Sequence, residues 1–385
     1  MHIGLDGIPL GEIKTGVGHY TFELARSLAC IAPADEFELI SPFPYVAAGD
    51  DESEQTLPPN LRVVQAKVNR LRRRRWWSIG LPLHIKRASF DIFHGTNYNV
   101  PLWNRCRTVI TIHDLSLFLF PETHEEHLVR RARLRLPLMA RTATAIITPS
   151  ESVRSEVCEH LSIGPEKVVA IPEAARRMFR PVPLAETVAV RRRLKVEDEF
   201  ILFVGTIEPR KNLLTLARAF DEINRNTPLR PQLVIAGREG WLNDELFSYL
   251  KSAEMGARVR FTGYVSDQDL RALYSSCRAF VYPSLYEGFG LPPLEAMACG
   301  APVITSRINS IRETVGQAAR LVSPTDFHEL SEAIVHLLED SGEREQLSSA
   351  GLQRAAGFSW ERTAAATLDV YREVLKEEKR RSAAV

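Results

Sequence analysis

Short β-branched runs alternate with longer helix-patterned stretches along nearly the whole chain, and that alternation leaves few folds open. The first series is His2 to Leu5, Phe37 to Ile40, Leu61 to Val64, Phe90 to Phe93, Thr108 to Ile112, Ala145 to Thr148 and Val168 to Ile171. A second series follows at Phe200 to Val204, Gln232 to Ala236, Val259 to Thr262, Ala279 to Tyr282, Pro302 to Thr305 and Arg320 to Val322. Strand, helix, strand in this rhythm predicts βαβ units and parallel sheets, here as two doubly wound α/β domains. A length of 385 residues agrees, because it exceeds one ordinary core.

The stretch Ala174 to Val196 carries Pro181, Pro183 and Arg191-Arg192-Arg193 and is the predicted connection. A boundary near Arg180 gives domains 1–180 and 181–359, and a final helix from Trp360 to Lys379 either caps the second domain or returns to the first. Forty-nine basic residues against 48 acidic ones leave a net charge of +1, so no nucleic-acid partner is expected. The cysteines at 30, 106, 158, 277 and 299 are scattered and without CxxC spacing, which predicts a reducing compartment and no zinc site. With Asp6 near the start, no basic leader segment and no apolar run of spanning length, a cytoplasmic protein is expected.

Open α/β sheets bind ligands at the carboxyl ends of their strands, so the residues just after each strand are the informative ones. Around Gly288-Phe289-Gly290, Glu287 and Glu295 stand eight positions apart in Glu287-Gly-Phe-Gly-Leu-Pro-Pro-Leu-Glu295, after the run Ala279 to Pro283. Pro292 and Pro293 suit a first helical turn and Gly300 the residue past the helix end, so the order is strand, glycine turn, helix. Amides at such a helix start attract anions or sugar oxygens, although carboxylates near a helix start also simply stabilise its dipole.

Other strand ends add to this pattern. Gly11 to Gly18, with Gly16 inside it, is a flexible loop without the full dinucleotide fingerprint, so no nicotinamide site is expected. His113 follows the strand Thr108 to Ile112, with Asp114 beside it as a candidate to orient the ring. After Phe200 to Val204 come Gly205-Thr206 and then Arg210-Lys211, a planar fork and a compact charge suited to a diphosphate. Ser266-Asp267-Gln268-Asp269 reads as a helix cap rather than a metal site, and no metal is expected. Arg72 to Trp77 places four arginines beside two tryptophans; it reads either as contact with an anionic membrane surface or as a solvated loop with the indoles packed inward.

Taken together, Thr15-Gly16-Val17-Gly18, Ile112-His113-Asp114, Thr148-Pro149-Ser150-Glu151, Val204-Gly205-Thr206 through Lys211-Asn212, Ala236-Gly237 and the Glu287 to Glu295 stretch resemble the retaining glycosyltransferases of family 4. The resemblance spans nearly the whole chain. It implies the GT-B fold, two Rossmann-like domains facing across a cleft, the first binding acceptor and the second a nucleotide-sugar donor. Glu295 then resembles the residue on the donor ribose, Glu287 the one on the transferred sugar, and Lys211 the diphosphate lysine. Gly288, Phe289, Gly290 and Leu291 would offer backbone N–H groups, His113 would lie close to the donor sugar, and Gly16 would let backbone approach the phosphate. His113 and Glu287 are thus the expected catalytic pair, with Gly205, Thr206 and Arg210 completing the donor site. Relatives often carry arginine where this chain has Thr206, and Arg210 is the candidate substitute.

Gly-Thr-Ile-Glu-Pro-Arg-Lys-Asn occurs in a subset that is often mannosyltransferases, which makes GDP-mannose the expected donor, with no cofactor. The resemblance further implies same-face attack with retention, and a glycan or lipid-linked acceptor in bacterial polysaccharide or glycolipid synthesis, on the inner face of the cytoplasmic membrane if the arginine run meets lipid. Acceptor contacts are expected around Pro42 to Asn60 and Leu71 to His84. A sugar-nucleotide epimerase on the same fold, or a non-catalytic subunit binding nucleotide or lipid, is the competing reading.

Overall fold

The computed structural model describes residues 1–11, 16–45, 57–103, 106–252, 255 and 258–383. Its first sheet has seven strands: β1 (His2–Asp6), β2 (Glu36–Ser41), β3 (Leu61–Gln65), β4 (Ile92–Gly95), β5 (Arg107–Thr111), β6 (Ala145–Thr148) and β7 (Val168–Ala170). They lie in the order β3-β2-β1-β4-β5-β6-β7, every pair parallel, with Leu5 opposite both Leu39 and His94. Ile3, Leu5, Phe37, Leu39, Ile92, Phe93, Val109, Ile110, Ile146 and Ile147 are buried. Buried on both faces, the inner strands β4, β5 and β6 are near-continuous apolar runs, whereas β2 alternates Glu36, Phe37, Glu38 and Leu39 and the edge strand β3 is largely exposed.

The second sheet has six strands: β8 (Phe200–Val204), β9 (Gln232–Ala236), β10 (Val259–Gly263), β11 (Ala279–Tyr282), β12 (Val303–Ser306) and β13 (Arg320–Val322). Their order is β10-β9-β8-β11-β12-β13, again all parallel. In each sheet the order reverses at its middle, between β1 and β4 and between β8 and β11. Crevices outside the carboxyl ends at such reversal points are where open α/β sheets hold ligands.

The chain divides into two compact units, one of 1–115, 130–173 and 359–385, the other of 116–129 and 174–358. The break after Glu173 precedes the boundary expected near Arg180. The reason is burial: Ala174, Arg176 and Phe179 are each under a tenth exposed, and Phe179 packs edge-on against Tyr274 at 5.8 Å. Residues 116–129, which lie among first-domain strands in sequence, belong to the second unit. There Phe120 packs against Tyr286 at 5.2 Å, and the Trp241 indole donates to the Thr123 carbonyl at 2.9 Å. Of the two placements open for the final helix, Trp360–Ala383 takes the one in the first unit: the Thr363 hydroxyl donates to the Pro172 carbonyl, 2.7 Å away.

Candidate active site

Three strands of the second unit end in glycine at one edge. Gly205 and Gly237 hold φ values of +154° and +151°, and a Cβ on Gly237 would stand 1.9 Å from the Gly205 carbonyl oxygen. Gly237 N–H in turn donates to the Gly263 carbonyl at 2.9 Å. Only glycine permits backbones this close, so past β8 and β9 main chain packs directly on main chain, while past β10 a Cβ on Gly263 would meet nothing within 4 Å. Val-Gly, Ala-Gly and Thr-Gly at three strand ends are the signal for it in the sequence. Thr206, half-buried, follows Gly205 directly.

Past Gly205, residues Pro209–Lys211 make one 3-10 turn, and Asn212 then adopts a left-handed φ of +59°. The Asn212 side-chain Nδ2 donates to the carbonyls of Pro283 (2.9 Å) and Pro324 (2.6 Å), tying the loop after β8 to the loop after β11. That tie places Lys211 beneath the Glu287 turn. Lys211 Nζ donates to Glu287 Oε1 at 2.5 Å and to the Tyr282 hydroxyl at 2.8 Å, while that hydroxyl donates to Glu287 Oε1 at 3.0 Å. Arg210 Nη1 lies 3.2 Å from Glu287 Oε1 and donates to the Tyr286 carbonyl at 2.9 Å, and its Nη2 donates to Glu208 Oε1 at 2.6 Å.

Burial alone would raise the pKa of Glu287. Lys211 and Arg210 outweigh it and carry the value down to about 2, so the group is a carboxylate throughout the neutral range. Burial and then Arg210 lower the Lys211 pKa, against the support of Glu287 and Glu208. Two cations and two carboxylates thus share one buried cluster. Arg210, Lys211 and Glu287, named from widely separated motifs, are brought together, whereas nothing in those motifs pointed to Tyr282.

Gly290 sits at φ +101° as the residue before the helix Leu291–Ala298, a conformation that favours glycine. Because Pro292 and Pro293 have no N–H, the amide donors here come from Gly288, Phe289, Gly290 and Leu291 and not from the next two helix positions. The Phe289 ring turns into the core against Phe358 at 5.8 Å, so only its backbone faces the turn. The Thr314 hydroxyl holds the Phe289 carbonyl at 2.7 Å, and the Ser310 hydroxyl holds that of Glu287.

Glu295 occupies a different electrostatic environment from Glu287. Its Oε1 is 3.8 Å from Arg176 Nε, and Arg176 forks its two terminal nitrogens onto Asp267 at 2.5 and 2.9 Å. Burial raises the Glu295 pKa to about 7, with Arg176 opposing and Asp267 adding to the rise. Two glutamates one motif apart therefore titrate at opposite ends of the carboxylate range. Ser266 caps its helix by accepting from Asp269 N–H at 3.2 Å, and Asp269 carries Arg193 as Asp267 carries Arg176. Sequence reasoning missed Arg176; its one trace is a pair of arginines inside an apolar segment.

In the first unit His113 follows β5, with Nδ1 3.1 Å from Glu173 Oε1 and Nε2 2.8 Å from the Thr96 carbonyl. Both partners are acceptors, so both ring nitrogens act as donors and the ring is an imidazolium. Burial opposes that charge, but Glu173, the Thr96 carbonyl and Asp114 overcome it and raise the pKa. Glu173 orients the ring, rather than the adjacent Asp114, whose own N–H donates to the Tyr98 hydroxyl at 2.9 Å. Tyr20 meets the His113 ring edge-on at 4.7 Å and its hydroxyl lies 2.9 Å from Thr111 Oγ1. Thr111 Oγ1 is also 2.8 Å from His94 Nε2, and His94 Nδ1 is 2.6 Å from the Tyr371 hydroxyl. Burial, and then the nearby His113, lower the His94 pKa to about 3 and keep that ring neutral.

Gly16 opens the helix Gly16–Ile31, while 12–15, including Thr15, lie outside the described residues, as do 46–56 within the expected acceptor region. In the arginine run, Trp76 is 3% exposed among Ile40, Phe90 and Phe93, and Trp77 is half-buried. The tryptophan pair therefore packs inward. Among the described residues, no helix is long and apolar enough to cross a membrane.

Residues 14–175 match the family model "Glycosyltransferase Family 4", and residues 186–354 match "Glycosyl transferases group 1". The chain is 33% identical over 379 residues to O-antigen chain mannosyltransferase B of Escherichia coli, covering 94% of this chain and 97% of that one. It is 26% identical to O-antigen chain mannosyltransferase RfbU of Salmonella typhimurium over 342 residues, 85% and 88% of the two chains. Anabaena HepE, solved in complex with UDP-glucose, superposes with a TM-score of 0.74 at 19% identity, over 96% of this chain and 99% of that one. That likeness is one of fold.

Proposed function

Because the chain belongs to the glycosyltransferases of family 4, we propose that it transfers a hexose with retention, mannose from GDP-mannose first, to a glycan or lipid-linked acceptor in bacterial polysaccharide synthesis. The observation that carries the donor half is the convergence of Lys211, Arg210 and Glu287 at the reversal point between β8 and β11. Mannose is supported by the two O-antigen mannosyltransferases to which the chain is similar.

In this reading the departing nucleoside diphosphate gains negative charge as the glycosidic bond breaks, and preorganised cations stabilise it there. Lys211 and Arg210 supply two positive charges, and the amides of Gly288 to Leu291 supply uncharged donors. No divalent ion is required in this scheme. Glu287 Oε1 is bound by both cations and the Tyr282 hydroxyl, and this charge pairing makes it a poor nucleophile. That suits same-face attack, in which the leaving phosphate accepts the acceptor's proton, with Glu287 holding the transferred sugar and the Lys211 ammonium between the two. Glu295 accepts from the ribose hydroxyls. His113, held as an imidazolium by Glu173 and the Thr96 carbonyl, has both N–H groups engaged and in this reading acts toward the hexose through its positive charge.

The test is a panel of nucleotide sugars with purified protein, read by thermal shift and by slow donor hydrolysis, with and without a chelator. GDP-mannose is expected to stabilise the protein most, and Glu295→Ala to abolish the shift. The reading is overturned if no nucleotide sugar binds and Glu295→Ala changes nothing. Conversion of a donor into its epimer without acceptor would assign the chain to the epimerases instead.

A further inference from the structure

The cationic cluster of the second unit carries no net charge. Lys211 and Arg210 contribute two positive charges, Glu287 and Glu208 two negative ones, and no side chain of the four is more than 12% exposed. Attraction of a diphosphate alone is best served by cations that nothing compensates. Glu287 has its place on the transferred sugar in the reading above, whereas Glu208 has none there.

The backbone fixes Glu208 firmly. Pro209 favours an extended residue before it, and Glu208 is extended at φ −143° and ψ 156°. Ile207 is bound into the loop after β9: its N–H donates to the Arg238 carbonyl at 2.9 Å, and its carbonyl accepts from Gly240 N–H at 3.0 Å and Asn243 Nδ2 at 2.8 Å. The Glu208 carbonyl then accepts from Lys211 N–H at 3.0 Å, closing the turn that carries both cations. Its side chain accepts from Arg210 Nη2 at 2.6 Å, and its charge also favours the Lys211 ammonium.

The charge to be held changes during the reaction read above, on which this inference rests. A nucleotide sugar is a diphosphate diester with two negative charges. When the bond from the sugar to the phosphate oxygen breaks, its electron pair stays on that oxygen. The acceptor oxygen bonds the sugar carbon, and its proton passes to the phosphate and, above neutral pH, on to water. The nucleoside diphosphate left behind therefore carries three charges. Uncompensated cations bind that product more tightly than the donor, and turnover then stalls at release.

We propose that Glu208 is a charge-balancing residue that keeps Lys211 and Arg210 from retaining the nucleoside diphosphate, so that the site discriminates donor from product. It acts through Arg210 rather than by touching either ligand. A charge about 10 Å away, at an effective dielectric between about 80 and about 20, changes affinity by about twofold to about fifteenfold per unit of ligand charge. Removing the charge of Glu208 should tighten product more than donor by that factor and leave an uncharged nucleoside unaffected. A residue that only braces Arg210 gives the reverse, weaker binding of every charged ligand.

The test is calorimetric titration of the full chain at pH 8 without magnesium, using guanosine, GDP-mannose and GDP, with uridine, UDP-glucose and UDP as a second series. In Glu208→Gln the side-chain oxygen still accepts from Arg210. That variant should bind the nucleoside like wild type, the nucleotide sugar at least about fourfold tighter and the diphosphate at least about eightfold tighter, with slower release. Glu208→Asp retains the charge and should restore the wild-type ratio of the last two affinities. Should Glu208→Gln not fold, Arg210→Gln with and without Glu208→Gln makes the same comparison, and adding Glu208→Gln should again favour the diphosphate by at least about twofold. An unaltered ratio, or weaker binding of both charged ligands, overturns the proposal and leaves the donor site standing. If neither series binds the wild-type protein, the donor-site reading falls and this inference with it.

Discussion

The separation of the two site glutamates in pKa makes donor affinity depend on pH in a direction that the structure fixes. Glu295 is raised to about 7, and in the role proposed for it, on the donor ribose, a carboxylate works best ionised, since only then do both oxygens accept. One pH unit below that value about a tenth of the molecules carry the carboxylate, so the apparent Kd of a nucleotide sugar at pH 6 should be about tenfold that at pH 8. Glu287, at about 2, is ionised throughout and contributes no inflection. Loss of a proton from Lys211 would weaken binding as pH rises, the opposite sense. Asp267 holds the Arg176 fork away from Glu295 and adds a like charge of its own. Asp267→Asn should therefore free Arg176 for Glu295 and move the inflection to lower pH, making affinity at pH 6 approach that at pH 8. Arg176→Met should move it above 7 and weaken binding at pH 7.5. Calorimetric titration with an intact nucleotide sugar, whose diphosphate diester has no proton to lose in this range, reads all three proteins. A flat wild-type profile from pH 5.5 to 8.5, or one inflection shared by all three, refutes the reasoning.

Four further outcomes are expected. Lys211→Met leaves a buried carboxylate with Arg210 alone and should cost about 3–5 kcal/mol in urea unfolding, part of it recovered by adding Glu287→Gln; a loss below about 1 kcal/mol would show the pair to be structurally idle. Since the folded Glu287 pKa lies below the ordinary 4.5, its contribution, roughly 3 kcal/mol, is whole above pH 4.5 and lost as pH falls toward 2. Glu287→Gln should therefore lose stability less steeply over that interval, which acid unfolding curves measure. Gly237→Ala puts a methyl 1.9 Å from the Gly205 carbonyl at φ +151° and should cost at least about 2 kcal/mol, read as a lower Tm. The His113 pKa is raised, so its pairing with Glu173 stabilises fully below about 6.5 and fades as pH climbs through the folded value. Glu173→Gln should lower the His113 titration midpoint seen by NMR and flatten stability above pH 6.5; an unmoved midpoint counts against the pair.

Strands were legible because a parallel sheet covered on both faces demands unbroken apolar runs, and Phe200 to Val204 or Ala279 to Tyr282 can hardly be anything else. The glycine turn was legible for a related reason. Gly290 lies at a positive φ that the local chain itself requires, just ahead of two prolines suited to a helix start. Less visible was the unit boundary, since Pro181, Pro183 and the arginine run look like a linker although the residues before them, Ala174, Arg176 and Phe179, are buried in the second unit. The sequence left the tryptophan pair open, because it puts Trp76 beside arginines; packing decided it by placing Trp76 in one buried cluster with Phe90.

Local order, then, is what this sequence determined by itself: thirteen strand runs in two series, the glycines that end strands, the loops that carry Lys211, His113 and Glu287 to sheet edges, and the helix start that carries Glu295. These features depend on neighbours a few residues away, where propensity and backbone sterics act. Only the tertiary structure decided the charge state of those groups. Lys211 meets Glu287 across 76 positions, and His113 meets Glu173 across 60. Arg176 meets Glu295 across 119, the difference of their numbers, with Asp267 closing the third side. Burial and Coulomb forces act through space and are indifferent to chain distance, so one glutamate of the motif is held as a carboxylate while the other keeps its proton to near neutrality.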